Sequence, residues 1–469
     1  MPPADPRRKP TPESLDPAHV LLMLDDPEAK RRVTAWLGKH NVDEMLEFAR
    51  RDTSPESGQR RVVLLHGIMG GQLVDRRGLL DDVIWFDLPQ LLYAGGLERL
   101  RLTVDGMGDA MPQARLEPSR PLRVVYDLLA WHLAGVGGFR VHPLAYDWRK
   151  SLDVAANRLH AQLEALSAGD VDARFSVVAH SMGGMVALRY AMLHPAHARR
   201  RLEQLVFLGV PIAGCFEPFQ LWAGVHPTAQ RVDTIAPGRG ESVRQVWATF
   251  PGMAELTADP AHFDSDTLLD PATWPDLAPL GRWLAHARAW RRGFHVPDFV
   301  RERLDVVLST DHDTCVGLRR LPDGVHQRHA PGDGAVPAVS TWCEGARHWR
   351  TDAYHPLLPL DGDVRSAVVA LLASEGRACA LPRVTSRAAL HARDPHDHGP
   401  GELPDRDPTG LLRLPDGGSP LVGLRDRATL GEACNGDAMW LFGCDTAEGA
   451  DGAPVPRAPP STPPRGPVA

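Results

Sequence analysis

The stretch Phe175-Ser-Val-Val-Ala-His-Ser181-Met-Gly-Gly-Met-Val-Ala-Leu-Arg-Tyr190 decides how this chain is read. A β-rich run ends at Ala179 and Ser181 stands at the turn. Met185, Leu188 and Met192 then mark one face of a helix that stops before Pro195. Strand, serine, helix is the setting in which a small-x-Ser-x-small pattern carries chemical meaning. The residues two before and two after the serine must be small, because strand and helix pack closely across a sharp turn. Here they are Ala179 and Gly183, with alanine in place of the usual glycine.

The segments on either side keep the same rhythm. Arg61–Leu65, Phe139–Leu144, Gln204–Val210 and Leu304–Ser309 read as strands like the one at Phe175–Ala179. Between them, residues 152–166 place Leu152, Ala155, Ala156, Leu159, Leu163 and Leu166 on one helical face, and Val364, Ala367, Val368, Leu371 and Leu372 do the same in 364–372. Strands alternating with helices predict a parallel sheet covered on both faces.

One stretch breaks the pattern. Residues 211–300 hold five of the 12 tryptophans and six phenylalanines between two core strands, which predicts an inserted cap. Its aromatic residues either read an extended apolar chain or fill a second small core. The insertion point, at the carboxyl ends of parallel strands, favours the first, with Phe219 and Trp222 as substrate contacts. The expected organisation is a helical N-terminal extension and linker over 1–60, a catalytic domain over 61–380 that includes the cap, and a C-terminal extension over 381–469. Asn41 is expected to cap a short helix carrying Met45, Leu46 and Phe48. The last 16 residues contain seven prolines and read as a disordered, dispensable tail.

Composition narrows the function. The 469 residues are 43% hydrophobic and 24% charged, ordinary globular usage. A net charge of −7 gives no basic face for nucleic acid. No apolar run is long enough to span a membrane, and MPPADPRRKPTPESLD lacks the apolar core of a secretory signal, so the expected setting is the cytoplasm, with non-classical export left open. The six cysteines show no C-x-x-C spacing, so neither a metal site nor a dense disulfide framework is expected. Whether Cys434 and Cys444 pair is open. No cofactor is expected.

A serine hydroxyl is a poor nucleophile at neutral pH and needs a base, which in turn needs an orienting carboxylate. In this strand order the acid and then the histidine follow later in the chain. Asp311, Asp313 and Asp333 are the acids to weigh. Glycines flank Asp333 in Pro-Gly-Asp-Gly-Ala-Val-Pro and permit a tight turn that aims its carboxylate inward. His355 lies between the last strand and the C-terminal helix. His348 falls inside that strand, and His391, His396 and His398 fall in a polar stretch beyond the core. The developing oxyanion needs backbone N–H donors. One is expected from Met182. The other is expected from the loop Leu65-His-Gly-Ile-Met-Gly-Gly71, with Ile68 as donor and Met69 as the alternative and as a substrate contact.

Segments matching in order give the chain a family resemblance. It resembles the α/β-hydrolase superfamily and, within it, the lecithin:cholesterol acyltransferase-like group, over about residues 61–375. The segments are Val62-Val-Leu-Leu-His-Gly-Ile-Met-Gly-Gly-Gln-Leu73, Ile84-Trp-Phe86, Tyr146-Asp-Trp-Arg149, Ala179-His-Ser-Met-Gly-Gly184, Gly209-Val-Pro-Ile-Ala-Gly214 and Gly332-Asp-Gly-Ala-Val-Pro337. The resemblance implies an α/β-hydrolase fold, a mostly parallel central sheet with helices on both faces and an inserted aromatic-rich cap. It also implies Ser181, Asp333 and His355 as nucleophile, acid and base, and acyl transfer or phospholipase-type cleavage on lipid esters, with peripheral contact at a lipid surface. Asp147 and Arg149 are expected to form a structural ion pair rather than to touch substrate. The competing readings are a small-ester carboxylesterase with the same machinery and a non-catalytic binding protein on the same fold.

Overall fold

The computed structural model describes the chain from residue 39 to 399, apart from 51–59, 78–81, 88–89, 92–94, 113, 236–238, 375–378 and 391–394. It also describes residues 27, 30 and 34. The tail beyond 446, Cys434 and Cys444 lie outside the described residues. Among the described residues the free cysteines are Cys215, Cys315, Cys343 and Cys379, and no helix is long and apolar enough to cross a membrane.

Among the described residues there are thirteen strands: β1 (Arg61–Leu65), β2 (Gly71–Asp75), β3 (Asp82–Trp85), β4 (Leu116–Pro121), β5 (Arg140–Leu144), β6 (Phe175–His180), β7 (Leu202–Leu208), β8 (Leu304–Ser309), β9 (His312–Leu321), β10 (Gly324–Gly332), β11 (Arg347–Thr351), β12 (Arg383–Val384) and β13 (His396–His398). Seven form the central sheet in the order β12-β11-β8-β7-β6-β1-β5. All neighbours pair in parallel except β12, which adds an antiparallel edge to β11. Every residue of β6 is buried, as expected for a strand covered on both faces. The helix Leu152–Ser167 buries Leu152, Ala155, Ala156, Leu159 and Leu163, and Ser151 caps it by accepting from the Asp153 N–H. This is an α/β-hydrolase fold.

Asn41 does not cap a helix. The helix Lys39–Arg50 already includes it, and its Oδ1 accepts from Arg365 Nη2 at 3.1 Å. Glu44 on the same helix pairs with Arg365 and His132, so polar contacts across helices set this residue's role. Two three-stranded antiparallel sheets, β3-β2-β4 and β13-β10-β9, stand beside the main one.

The segment between β7 and β8 is helical and closes on its own aromatic cluster. Phe219 and Trp222 are fully buried. Their rings lie 5.9 Å apart, and Trp222 meets Trp274 at 6.0 Å. Contact between either side chain and a substrate therefore requires this cluster to open. Trp222→Ala is expected to lower stability by about 3–5 kcal/mol, the cost of emptying a fully packed aromatic site. Denaturant unfolding measures it. A loss below about 1 kcal/mol would show the cluster to be loosely packed.

Candidate active site

The carboxyl ends of β1, β6 and β11 bring the predicted residues together. Ser181 follows β6 with φ 53° and ψ −127°, a left-handed conformation rare for a residue with a side chain. The turn is sharp enough that the helix Met182–Leu193 starts against β1. A Cβ at Gly183 would sit 2.6 Å from the His66 carbonyl oxygen, so only glycine fits two residues after the serine. Met182 is the first helical residue, and its N–H has no intrahelical acceptor.

The loop after β1 approaches from the other side. A Cβ on Gly67 would lie 2.9 Å from Ser181 Cβ, which fixes Ile68 and Met69 close to the serine. The Tyr146–Arg149 segment holds this loop in place. Tyr146 donates its hydroxyl to the His66 carbonyl at 2.6 Å and stacks on the His66 ring with centroids 4.1 Å apart. Trp148 Nε1 donates to the Gly71 carbonyl at 2.9 Å. Arg149 is buried and fully engaged, by Asp147 at 2.8 and 2.9 Å, by Asp109 at 2.8 Å and by the Leu100 carbonyl at 3.0 Å. The Asp147–Arg149 pair is a structural ion pair, as expected from the sequence, and it ties its own segment after β5 to Leu100 and Asp109.

His355 opens a short 3₁₀ turn beyond β11. Its Nδ1 lies 2.7 Å from Asp333 Oδ2 and its Nε2 lies 3.0 Å from Ser181 Oγ. The Gly332–Pro337 turn wraps the Asp333 carboxylate, whose Oδ1 accepts from the Ala335 and Val336 N–H groups at 3.0 and 2.7 Å. The His355 N–H donates to the Asp333 carbonyl at 2.8 Å, so side chain and backbone lock the pair together. Burial disfavours the imidazolium of His355, but the charge and hydrogen bond of Asp333 outweigh it, and the pKa is raised. Asp311 and Asp313 are exposed. His348 is buried within β11 and accepts from the Cys343 N–H at 3.2 Å. His391 lies outside the described residues.

Sequence reasoning passed over two buried groups. Tyr126 accepts from the Gly67 N–H at 2.8 Å, and its hydroxyl lies 2.9 Å from His180 Nδ1. His180 Nε2 meets the His355 carbonyl at 3.0 Å. Burial, with His355 adding to it, pushes the His180 pKa well down, so this ring is neutral. The tyrosine hydroxyl, already an acceptor, donates to Nδ1, and Nε2–H donates to the carbonyl. One chain of hydrogen bonds thus ties the loop after β1 to the backbone of His355. His180 stands beside the serine in the sequence, but Tyr126 carries no local signal.

The family model for lecithin:cholesterol acyltransferase matches residues 120–229, a stretch that includes β6, Ser181 and the entry to the cap. No curated protein matches the chain. Among solved structures it is similar to the mature lipase BlEst2 of Bacillus licheniformis, at 12% identity over 69% of this chain and 94% of that chain, with a TM-score of 0.36. It is also similar to the NocB thioesterase domain in covalent complex with a fluorophosphonate nocardicin G analog, at 17% identity over 68% and 96%, with a TM-score of 0.29. A thermophilic esterase from Thermogutta terrifontis gives 15% identity over 68% and 92%, with a TM-score of 0.28. The sheet order is that of an α/β-hydrolase fold, and the stretch 120–229 is similar to the lecithin:cholesterol acyltransferase family. The family match supports a serine hydrolase or acyltransferase.

Proposed function

We propose that the chain cleaves or transfers acyl groups of lipid-like esters, with Ser181 as nucleophile, His355 as base and Asp333 as the acid that orients it. The observation that carries this reading is the continuous path from Asp333 Oδ2 through His355 to Ser181 Oγ, with steps of 2.7 and 3.0 Å. His355 Nε2 takes the Ser181 proton as Oγ attacks the ester carbonyl. The N–H groups of Met182 and of Ile68, or of Met69 in its place, receive the oxyanion. The tetrahedral intermediate collapses, His355 returns the proton to the departing alcohol, and an acyl-serine remains. Water or an acceptor alcohol then gives its proton to His355 as its oxygen attacks the acyl carbonyl, and His355 passes that proton to Ser181 Oγ as the acyl group leaves, restoring the free serine. Residues 61–380 make up the catalytic domain in this reading, flanked by the two extensions, and a lipid surface is the natural source of substrate.

A small-ester carboxylesterase uses the same steps, and the closed packing of Phe219 and Trp222 favours it. Fluorophosphonate labelling followed by a chain-length series of para-nitrophenyl esters separates the readings. Stoichiometric labelling of Ser181 is expected, with kcat/KM rising with chain length as each buried methylene adds about 0.8 kcal/mol. Labelling with a flat or falling series would establish the small-ester reading. An unlabelled, folded protein would leave only a binding role for the fold.

A further inference from the structure

Away from Ser181, three histidines meet on the second sheet. His329 lies on β10, and His396 and His398 lie on β13, which pairs antiparallel with it so that His329 opposes His396 and Gln327 opposes His398. A spacing of two residues along a strand puts His396 and His398 on the same face. The ligand-capable atoms of the three lie within 4.8 Å of one another. The rings of His329 and His398 are 4.7 Å apart, and those of His396 and His398 are 4.9 Å apart.

Two nitrogens in this cluster lack a role within the fold. His329 is only 4% exposed, and its Nδ1 and the Nε2 of His398 are both buried with no hydrogen-bond partner. Leaving buried polar atoms unpaired is costly, so native folds seldom do it without a reason. Asp313 sets a carboxylate oxygen 3.7 Å from His396 Nε2 at the edge of the cluster.

We propose that His329, His396 and His398 bind a divalent cation of the zinc type, with Asp313 or water completing the coordination. Neutral imidazoles suit zinc and its transition-metal neighbours and are poor ligands for calcium or magnesium. In a tetrahedral zinc site the ligand nitrogens stand about 3.3 Å apart. The ligand atoms therefore need to close by up to about 1.5 Å, which side-chain rotation of the exposed His396 and half-buried His398 supplies. The ion would staple β13 onto β10, the strand that runs directly into Gly332 and Asp333. Cysteine spacing is blind to this arrangement, because its ligands come from strands distant in sequence.

The test uses the full chain without a histidine tag, stripped with a chelator and titrated with zinc chloride by calorimetry, with melting followed in parallel. One zinc per chain is expected, with a melting temperature raised by about 4 °C at saturation. His396→Ala and His398→Ala are each expected to weaken zinc binding by roughly tenfold or more. Both sites are partly exposed, and circular dichroism checks that the apo variants keep the fold. Absence of stoichiometric zinc in the wild-type chain, or zinc binding unchanged in both folded variants, would overturn the assignment.

Discussion

Ser181→Ala is expected to lower ester turnover by about 10⁴- to 10⁶-fold while leaving the chain folded. The size follows from the steps that the hydroxyl carries. Without Oγ no acyl-enzyme forms, and only the backbone donors and substrate binding still favour the reaction. The fold should tolerate the change because the lost group is one hydroxyl whose partner, His355 Nε2, retains Asp333 and the 3₁₀ turn on its other side. Alanine also accepts the Ser181 backbone at much the same cost as serine, since both carry a Cβ at φ 53°. The measurements are kcat on a para-nitrophenyl ester, with fluorophosphonate titration of active sites, and the melting temperature. A folded variant that turned over at the wild-type rate would end the reading of Ser181 as nucleophile.

The parts of the fold that were legible in the sequence are those in which burial and chemistry act on adjacent residues. β1 and β8 fall on the predicted residues, and the helix Leu152–Ser167 extends the predicted one by a single position. The two strands are buried almost throughout and the helix keeps its apolar residues on one face, so composition and spacing carry the signal. β4 was not legible, because Leu116-Glu-Pro-Ser-Arg-Pro121 contains two prolines. Those are tolerated only because it pairs on one side, with β2, as an edge strand. The β9–β10 hairpin is largely polar on its outer face, and its one local signal is the turn Pro322-Asp-Gly324. At the site, Ser181 and Asp333 stood out because small or turn-forming neighbours surround them, and His355 because it lies between the last strand and the C-terminal helix. Gly209 did not. A Cβ there would lie 2.7 Å from Asp333 Oδ2 and 2.9 Å from His355 Nδ1, a constraint set by residues more than a hundred positions away. Tyr126 escaped for the same reason. Phe219 and Trp222 show the opposite limit, since aromatic richness in a sequence does not tell a wall of a binding groove from the core of the cap.

The second large effect is expected at Asp333. Replacing it with asparagine keeps the shape of the turn but removes the charge, and it offers His355 Nδ1 an amide that can hold the ring in the wrong tautomer. A fall in kcat of about 10⁴ is expected. The pH profile supplies an independent reading of the same contact. In the proposed mechanism His355 acts as a base only when unprotonated, and Asp333 raises its pKa against the opposing effect of burial. In the wild-type chain the acidic limb of kcat/KM should therefore have its midpoint above about 6.5, the ordinary histidine value, with activity lost as the pH falls through it. Once the carboxylate is gone, only the smaller effect of the Glu217 charge still opposes burial and the midpoint should move to lower pH, so the residual activity of Asp333→Asn should persist further into acid. Asp311→Asn is the matched control. Its carboxylate is exposed, and neither the rate nor the limb should move. A wild-type rate and an unmoved limb in Asp333→Asn, or a shift in the Asp311 variant instead, would remove Asp333 from the pair.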